Sequence, residues 1–333
     1  MQSNVLWKKT RENGSTLVLM LVLIAICAVW AMISPAFLTP GNLFLVIMRV
    51  AIYGILAVGM TYVILGGGID LSVGSVVALS SVVAAMLATG DFHYAPLWLP
   101  LIAAIATGAI CGLINGIAVA YAKVPAFIAT LCMMLAARGV AMVATNAHPI
   151  FGMRAAFIAV SNHHLFRTFD EYGQIIFRGI PLLVLYFFGV MILGIILLHF
   201  TTYGRKIFAI GGNATVARYS GINVTRIQCS TYIISGALAG FCGMLMASRI
   251  SVGSPTTAEG AELSAIAAAV IGGISMSGGK GILFGTLIGV LIIGVIGNGM
   301  DVLGVSPHWQ MIIQGLIMFF AVFMDARINS KTK

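Results

Sequence analysis

The residues best suited to chemistry stand in one short segment, GGGIDLSVGS, which covers 66–75. It places Asp70 directly after a run of glycines and between two long apolar runs. An aspartate in hydrocarbon costs about 2.5–3.5 kcal/mol even on the lenient insertion scales. The carboxylate therefore needs specific hydrogen-bond donors or a position at a membrane surface.

Other motifs that suggest chemistry fail in detail. The segment 272–281 has the glycines and lysine of a phosphate-binding loop, but Gly281 follows Lys280 where a magnesium-binding Ser or Thr belongs, and no strand is expected before it. His163 and His164 have no carboxylate or Cys partner at metal-ligand spacing. No acidic and basic side chains stand at a spacing in the sequence that would bring them together as a catalytic pair. We therefore predict no catalytic residues, no metal site and no cofactor, and a chain that is not an enzyme.

Amide side chains also lie inside the apolar runs, at Asn115, Asn298, Gln310 and Gln314. They suit hydrogen bonds to a hydroxylated solute, and they equally suit hydrogen bonds between helices, which are the commoner use.

Composition identifies the environment of these residues. Hydrophobic residues make up 60% of the chain and charged residues 8%, against about 25% charged in an ordinary globular domain. The mean hydropathy is +1.07. The net charge of +9 comes from basic residues at the ends of apolar runs, which is typical of topology signals and not of a nucleic-acid-binding face. The chain is predicted to be a polytopic membrane protein.

The apolar runs predict an all-α bundle of about ten spans, which forms a single domain over residues 1–333. The predicted helices cover 17–34, 43–65, 71–90, 97–121, 125–146, 181–200, 227–248, 262–278, 281–300 and 306–325.

Charge orients this bundle with both termini in the cytoplasm, because cytoplasmic loops carry the excess of Lys and Arg. In this orientation the cytoplasmic side receives Lys8, Lys9, Arg11, Lys123, Arg205, Lys206, Arg218, Arg226, Lys280, Arg327, Lys331 and Lys333. The other side receives Arg154, Arg167, Arg178 and the boundary residue Arg249. Arg49 and Arg138 lie inside runs near their outer ends, and we expect them to snorkel.

Two connections are long enough for structure of their own. The outer one, about 147–180, has the length for a short interfacial helix. The inner one, about 201–226, is basic and has a helix-length core from Asn213 to Ser220, which predicts a surface for a partner.

Glycines at close to four-residue spacing predict close helix packing in lipid, with the lining of a translocation path as the alternative. They are Gly108, Gly112 and Gly116, then Gly236, Gly240 and Gly243, then Gly281, Gly285 and Gly289.

Four segments together resemble the ribose permease family, the membrane subunits of bacterial ABC importers for pentoses and hexoses. They are GGGIDLSVGSVVAL at 66–79, VPAFIATL at 124–131, AIGGNATVARYSGINV at 209–224 and AIAAAVIGGISMSGGKGILFGTLIG at 265–289. The resemblance covers nearly the whole chain, with the motifs in the family's order. It implies a multi-pass protein of the bacterial plasma membrane.

The resemblance also implies partners: a second copy of the chain, a pair of ATPase subunits below, and a periplasmic or extracellular sugar-binding protein above. The residues that match the family's cytoplasmic coupling helix are Gly211, Gly212, Asn213, Arg218 and Gly221. Many relatives carry Glu-Ala-Ala after the asparagine, whereas this chain has Ala214-Thr215-Val216. An acidic contact with the ATPase is therefore missing.

The candidates for the solute path or its gate are Asp70, Ser72, Asn115, Phe127, Thr130 and Asn298. We expect Asp70 at the inner turn between the second and third spans, near the free amides of Ser72 and Val73. There it serves either as a helix cap or as part of the gate.

Ribose is the first prediction for the solute. The alternatives are other pentoses or hexoses, autoinducer-2, a branched-chain amino acid or a nucleoside. A secondary transporter is a different class, which requires a coupling group near the membrane midplane.

Overall fold

A computed structural model describes residues 2–89, 96–172 and 174–330. The helices are α1 Gln2–Ile33, α2 Pro40–Leu65, α3 Val73–Ala88, α4 Trp98–Gly116, α5 Ala126–Thr145, α6 Ala155–Asn162, α7 Leu182–Ile195, α8 Thr202–Gly212, α9 Ala214–Tyr219, α10 Val224–Ile250, α11 Ala261–Ile271, α12 Leu283–Val302 and α13 Pro307–Ser330. Single π-helical turns, Ile117–Tyr121 and Ile196–Phe200, extend α4 and α7. A short 3₁₀ turn, Pro35–Leu38, precedes α2.

Every predicted span contains a helix, but two of these helices are too short to cross a bilayer. Among the described residues, eight helices have the length and hydropathy of a span. The exceptions are α3, with 16 residues, and α11, with 11, which correspond to about 24 Å and about 16 Å of helix. A hydrocarbon core is about 30 Å thick. Eight of the ten predicted spans thus have helices of full length, and the other two have shorter helices, because a run of apolar residues does not reveal where a helix begins inside the bundle.

The two ends of the bundle differ in charge. The basic end carries Lys123, Arg205, Lys206, Arg226 and Lys280. It also receives the first residues of α10 and α12 and the last residue of α2. The other end, called the opposite end below, holds the start of α2 and the last turns of α10 and α12.

Both terminal helices run between these two ends. The side chain of Trp30, late in α1, lies against Gly299 near the opposite end. The carboxylate of Asp325, late in α13, accepts from the amide of Met276 at 3.1 Å near the basic end. Both chain ends therefore point to the basic end. Lys331 and Lys333 lie outside the described residues, as do the side chains of Lys8, Lys9 and Arg11.

The centre of the fold is α10, which packs against α2, α3 and α4. Glycines permit this contact: a Cβ on Gly236 would overlap the carbonyl oxygen of Gly108 and lie 2.9 Å from the Cα of Gly112. Gly285 lies equally close to the backbone of Gly272. The prediction of close packing along the glycine stripes is confirmed at these positions.

The outer connection folds into the predicted short helix and into two strand pairs that the sequence did not predict. In α6, the Ser161 hydroxyl donates to the carbonyl of Leu245 at 2.9 Å, and the Ser248 hydroxyl donates to the carbonyl of Phe157 at 2.8 Å. These bonds attach α6 to α10. The strands are β1 His164–Leu165, β2 Thr168–Phe169, β3 Ile175–Phe177 and β4 Ile180–Pro181, paired antiparallel as β1 with β4 and β2 with β3.

The inner connection contains the predicted helix over its core, α9, and before it α8, which was not predicted. The Asn213 side chain caps α9 by accepting from the amides of Thr215 and Val216, both at 3.0 Å. Asn and Asp at this position satisfy amides that have no partner in the first helical turn.

The arginines inside the spans have partners within the protein. Arg49 forms an ion pair with Asp301 at 2.7 Å. Arg138 donates from Nη1 to the carbonyls of Pro255 at 2.7 Å and Thr257 at 3.0 Å. Both lie where irregular backbone or another helix end offers an acceptor within reach.

Candidate functional site

The Asp70 carboxylate lies in the core of the bundle, where it is 1% exposed. One oxygen accepts from the Ser72 amide at 3.0 Å and from the Ser72 hydroxyl at 2.6 Å. The other accepts from the Ser235 hydroxyl of α10 at 3.0 Å. Hydrogen bonds to a charged acceptor are the strong kind, and three of them offset part of the cost of burying this group.

Asn115 extends the cluster to α4, because its side-chain nitrogen lies 2.9 Å from the Ser72 hydroxyl oxygen, to which it donates. We call Asp70, Ser72, Asn115 and Ser235 the Asp70 network. All four residues are buried. The network therefore joins α4 and α10 to the first turn of α3.

The local sequence explains why the chain turns here. Gly67 has a φ of +80°, which favours glycine. A Cβ on Gly68 would overlap the hydroxyl oxygen of Tyr232, and that hydroxyl donates to the carbonyl of Ile69 at 3.4 Å. Ser72 occupies the cap position of α3 but makes no capping bond of its own, so Asp70 supplies the acceptor. The predicted bond to the Ser72 amide is confirmed.

The depth of Asp70 differs from the prediction. Ser235 follows Val224, the first residue of α10, by eleven positions, which is about 16 Å of helix. Because Asp70 contacts Ser235, it lies well inside the bundle and not at an inner surface turn. The reason is that 66–72 is not a tight turn at the basic end but an irregular segment that enters the bundle before α3 begins.

Gly211 and Gly212 of the predicted coupling segment contact the end of α2 and the loop between α11 and α12. A Cβ on Gly211 would overlap the carbonyl oxygen of Leu65, and a Cβ on Gly278 would lie 3.1 Å from the Cα atoms of both Gly211 and Gly67. The Gly279 amide donates to the Leu65 carbonyl at 2.9 Å. We call this meeting of α8, the end of α2 and the loop between α11 and α12 the glycine junction.

The helix α9 exposes most of its surface at the basic end. Ala217 is buried against Ile210 and Val224, whereas Val216 is 58% and Tyr219 87% exposed. Arg218 is exposed as well.

The other two coupling glycines lie on either side of α9. Gly221, which follows α9, has a φ of +81° and ends the helix in the left-handed conformation that glycine permits. Gly212 is the last residue of α8, and a Cβ there would meet no atom within 4 Å.

The remaining path candidates lie apart from the Asp70 network. Thr130 is buried and donates to the carbonyl of Ala126 at 2.8 Å within α5, and Phe127 is 56% exposed on the outside of that helix. Asn298 forms a reciprocal amide pair with Asn42 of α2, with both bonds at 2.8 Å. The interhelical alternative for Asn115 and Asn298 is confirmed.

A cavity of about 570 Å³ opens between α2, α10 and α12 near the opposite end. Its lining includes Asn42, Arg49, Tyr53, Arg249, Asn298 and Asp301. Asn298 thus lies at the wall of a cavity, while both atoms of its amide group bond to Asn42.

Two residues that the sequence did not single out belong to these sites. Ser235 completes the Asp70 network, but a lone serine in an apolar helix gives no signal of its role. Tyr219 is the largest exposed side chain of α9, and an aromatic residue inside a basic connection was a signal that could have identified it.

Comparison with known proteins places these features in context. A family model described as "Branched-chain amino acid transport system / permease component" matches residues 42–322. The ribose import permease protein RbsC of Escherichia coli (strain K12) is 43% identical over 311 residues, 93% of this chain and 92% of that protein.

Two further relatives have similar coverage. RbsC of Bacillus subtilis (strain 168) is 41% identical over 89% of this chain and 88% of its own length. The xylose transport system permease protein XylH of Haemophilus influenzae is 36% identical over 93% of this chain and 96% of its own length. No solved structure matches the chain.

Substitution of Asp70 measures what its network contributes to folding. Asp70→Leu leaves the Ser72 amide and the Ser235 hydroxyl without an acceptor, at about 1–3 kcal/mol for each buried donor. We expect a large drop in the thermal unfolding temperature of the detergent-purified protein. Asp70→Asn keeps a side-chain oxygen for the Ser72 amide and should lower this temperature much less. Equal unfolding temperatures for Asp70→Leu and the native protein would contradict a structural role.

Proposed function

Because the chain belongs to the family of branched-chain amino acid transport system permease components, we propose that it is the membrane subunit of an ABC importer that carries a monosaccharide, with ribose as the first candidate. The observation that carries this proposal is the 43% identity to ribose import permeases over nearly the full length of both proteins. The eight long apolar helices fit a multi-pass protein of the plasma membrane.

The basic end faces the cytoplasm in this proposal, since Lys and Arg concentrate in cytoplasmic loops. Both termini then lie in the cytoplasm, and the opposite end receives solute from a sugar-binding protein. The exposed surface of α9 becomes the docking site for a separate ATPase, and Tyr219 is its main anchor. The segment Ala214-Thr215-Val216, which lacks the glutamate that many relatives carry here, makes this contact more apolar than in those relatives.

Coupling to ATP hydrolysis follows from the glycine junction. A displacement of α9 and α8 moves Gly211 against Leu65 and Gly67, which lead within a few residues to Asp70. In the proposed mechanism this displacement alters the Asp70 network and shifts the bundle between inward and outward openings.

The choice of sugar is the finer part of the proposal. Relatives named for ribose, xylose and L-arabinose all match most of this chain. Permeases named for three different pentoses are therefore similar to it. Ribose takes precedence because the ribose permeases have the higher identity among these. A branched-chain amino acid, as in the family's description, autoinducer-2 and a nucleoside are tested as competing solutes.

Reconstitution tests the function directly. Liposomes that contain this chain, its ATPase and its binding protein should accumulate labelled ribose only when ATP and the binding protein are both present. A panel of xylose, arabinose, leucine, autoinducer-2 and a nucleoside identifies the solute. Uptake driven by an ion gradient without nucleotide would instead establish a secondary transporter, for which the deep Asp70 supplies the required carboxylate.

Tyr219→Ala tests the docking surface. Removing an exposed aromatic anchor typically weakens an interface by about 2 kcal/mol or more, so we expect at least a tenfold loss of ATPase association in pull-down from detergent, with unchanged thermal stability. Tyr172→Ala is the matched control, because Tyr172 is 88% exposed at the opposite end. An equal loss in both variants would contradict docking on α9.

Asp70→Asn decides between the cap and the gate. If Asp70 serves as a cap, this variant should retain much of the ATP-dependent ribose uptake, because the Ser72 amide keeps its acceptor. If the charge itself operates the gate, uptake should fall to background while expression and thermal stability stay near native values. Uptake by liposomes with matched amounts of protein is the measurement.

A further inference from the structure

The cavity near the opposite end is a gap between two helices that pack on the same third helix. Both α10 and α12 pack against α2, whereas within the described part of the chain they barely touch each other. The space left between them over α2 has a volume of about 570 Å³. That is within the range of sites that hold small molecules, about 300–1,000 Å³.

The lining of this cavity carries more positive than negative charge. Its charged residues are Arg49, Arg249 and Asp301. The Asp301 carboxylate is already engaged at both oxygens: Oδ2 pairs with Arg49 at 2.7 Å, and Oδ1 accepts from the Gln310 amide group at 2.7 Å. One carboxylate cannot balance two guanidinium groups, so the cavity has an excess of one positive charge.

Arg249 is the cation whose charge has no counter-ion here. Its side chain makes one long hydrogen bond to the described residues, from Nη1 to the carbonyl of Met48 at 3.4 Å. Arg49 is close enough for the two positive charges to repel each other. The Nη1 group of Arg49 is buried against Gly297, so an incoming anion meets Arg249 first. A guanidinium group can give two parallel hydrogen bonds to a phosphate.

The position of these charges is that of lipid headgroups. Arg249 and Asp301 are each the second-last residue of a long apolar helix, which places them near the surface of the membrane. Beside them, Leu45 and Ile250 line the same cavity and are 55% and 48% exposed. A cation at headgroup level next to exposed apolar side chains fits a ligand with an anionic head and a hydrocarbon tail. A neutral pentose needs neither feature.

We propose that the cavity between α10 and α12 binds an anionic phospholipid, with the phosphate on Arg249 and an acyl chain against Leu45 and Ile250. Cations near a membrane surface attract anionic lipids, and the apolar wall adds the burial of hydrocarbon. The lipid fills the gap between α10 and α12 and stabilises this end of the bundle. This inference goes beyond the proposed function and does not depend on which solute is transported.

Thermal unfolding of the detergent-purified protein tests the ligand. Phosphatidylglycerol at saturating concentration should raise the unfolding temperature by about 4 °C or more, and zwitterionic phosphatidylcholine should not. Glycerol 3-phosphate carries the same phosphate chemistry without the tails and should give less than half of this shift. A full shift with glycerol 3-phosphate would assign the cavity to a soluble phosphate ester and overturn the lipid.

Arg249→Gln tests the site. It removes the unbalanced charge, so the shift with phosphatidylglycerol should disappear. Arg178→Gln is the matched control, because Arg178 is an exposed arginine at the same end and does not line the cavity; it should keep the shift. An unchanged shift in Arg249→Gln would overturn the site. Loss of sugar-binding-protein association in Arg249→Gln with an unchanged lipid shift would assign Arg249 to a carboxylate of that protein.

Fluorescence quenching keeps the test decisive if Arg249→Gln does not fold. Leu45→Cys and Ile312→Cys carry a thiol-reactive fluorophore in a background with the five native cysteines replaced. Ile312 is the matched control: each residue is the sixth of its helix from the opposite end, and they are 55% and 53% exposed. Brominated phosphatidylglycerol should quench Leu45→Cys at least twofold more than brominated phosphatidylcholine does, and should quench Ile312→Cys equally with both lipids. Equal quenching of Leu45→Cys by the two lipids would overturn the proposal.

Discussion

The structure depends on keeping a carboxylate hydrogen-bonded deep inside an apolar bundle. The Asp70 side chain accepts from a backbone amide and from two hydroxyl groups, and these donors come from the start of α3 and from α10. Without them the group would have to leave the core or take up a proton. The start of α3 inside the bundle is a consequence, because its first amide needs an acceptor at that depth.

Short polar side chains reach one another only if the helices that carry them approach closely. Gly112 lies against the backbone of Tyr232 and Ile233, and Gly116 lies against Cys229. These contacts bring α4 close enough to α10 for Asn115 to reach Ser72. The glycines therefore contribute to the polar network as well as to van der Waals packing, and a larger residue at Gly112 would separate donors from acceptors that cannot be satisfied by water.

Hydrophobicity alone was sufficient to locate the long helices, since each predicted run contains one of the helices α1–α5, α7 and α10–α13. It did not reveal where α3 and α11 begin, because apolar runs look the same whether a helix starts at a surface or inside a bundle. The predicted depth of Asp70 was wrong for the same reason. Spacing did predict its bond to the Ser72 amide, which is a local interaction, but not Ser235, which lies 165 positions away in the chain. The bonds of Arg138 to the carbonyls of Pro255 and Thr257 could not be predicted from the sequence either, because they depend on the path of an irregular segment.

The glycine junction joins three segments through backbone atoms. No side chain forms these contacts, so no change of side-chain size can compensate for a shift of the backbone there. Any added carbon at Gly211 or Gly279 collides with backbone, and the contact is in this sense fixed for every variant that folds. In the proposed importer, divergence in the partner at the basic end would then be confined to α9, most of whose side chains are exposed. Such a permease would adapt to a different ATPase by changing a few residues of one short helix, while the backbone contacts of the glycine junction stay the same.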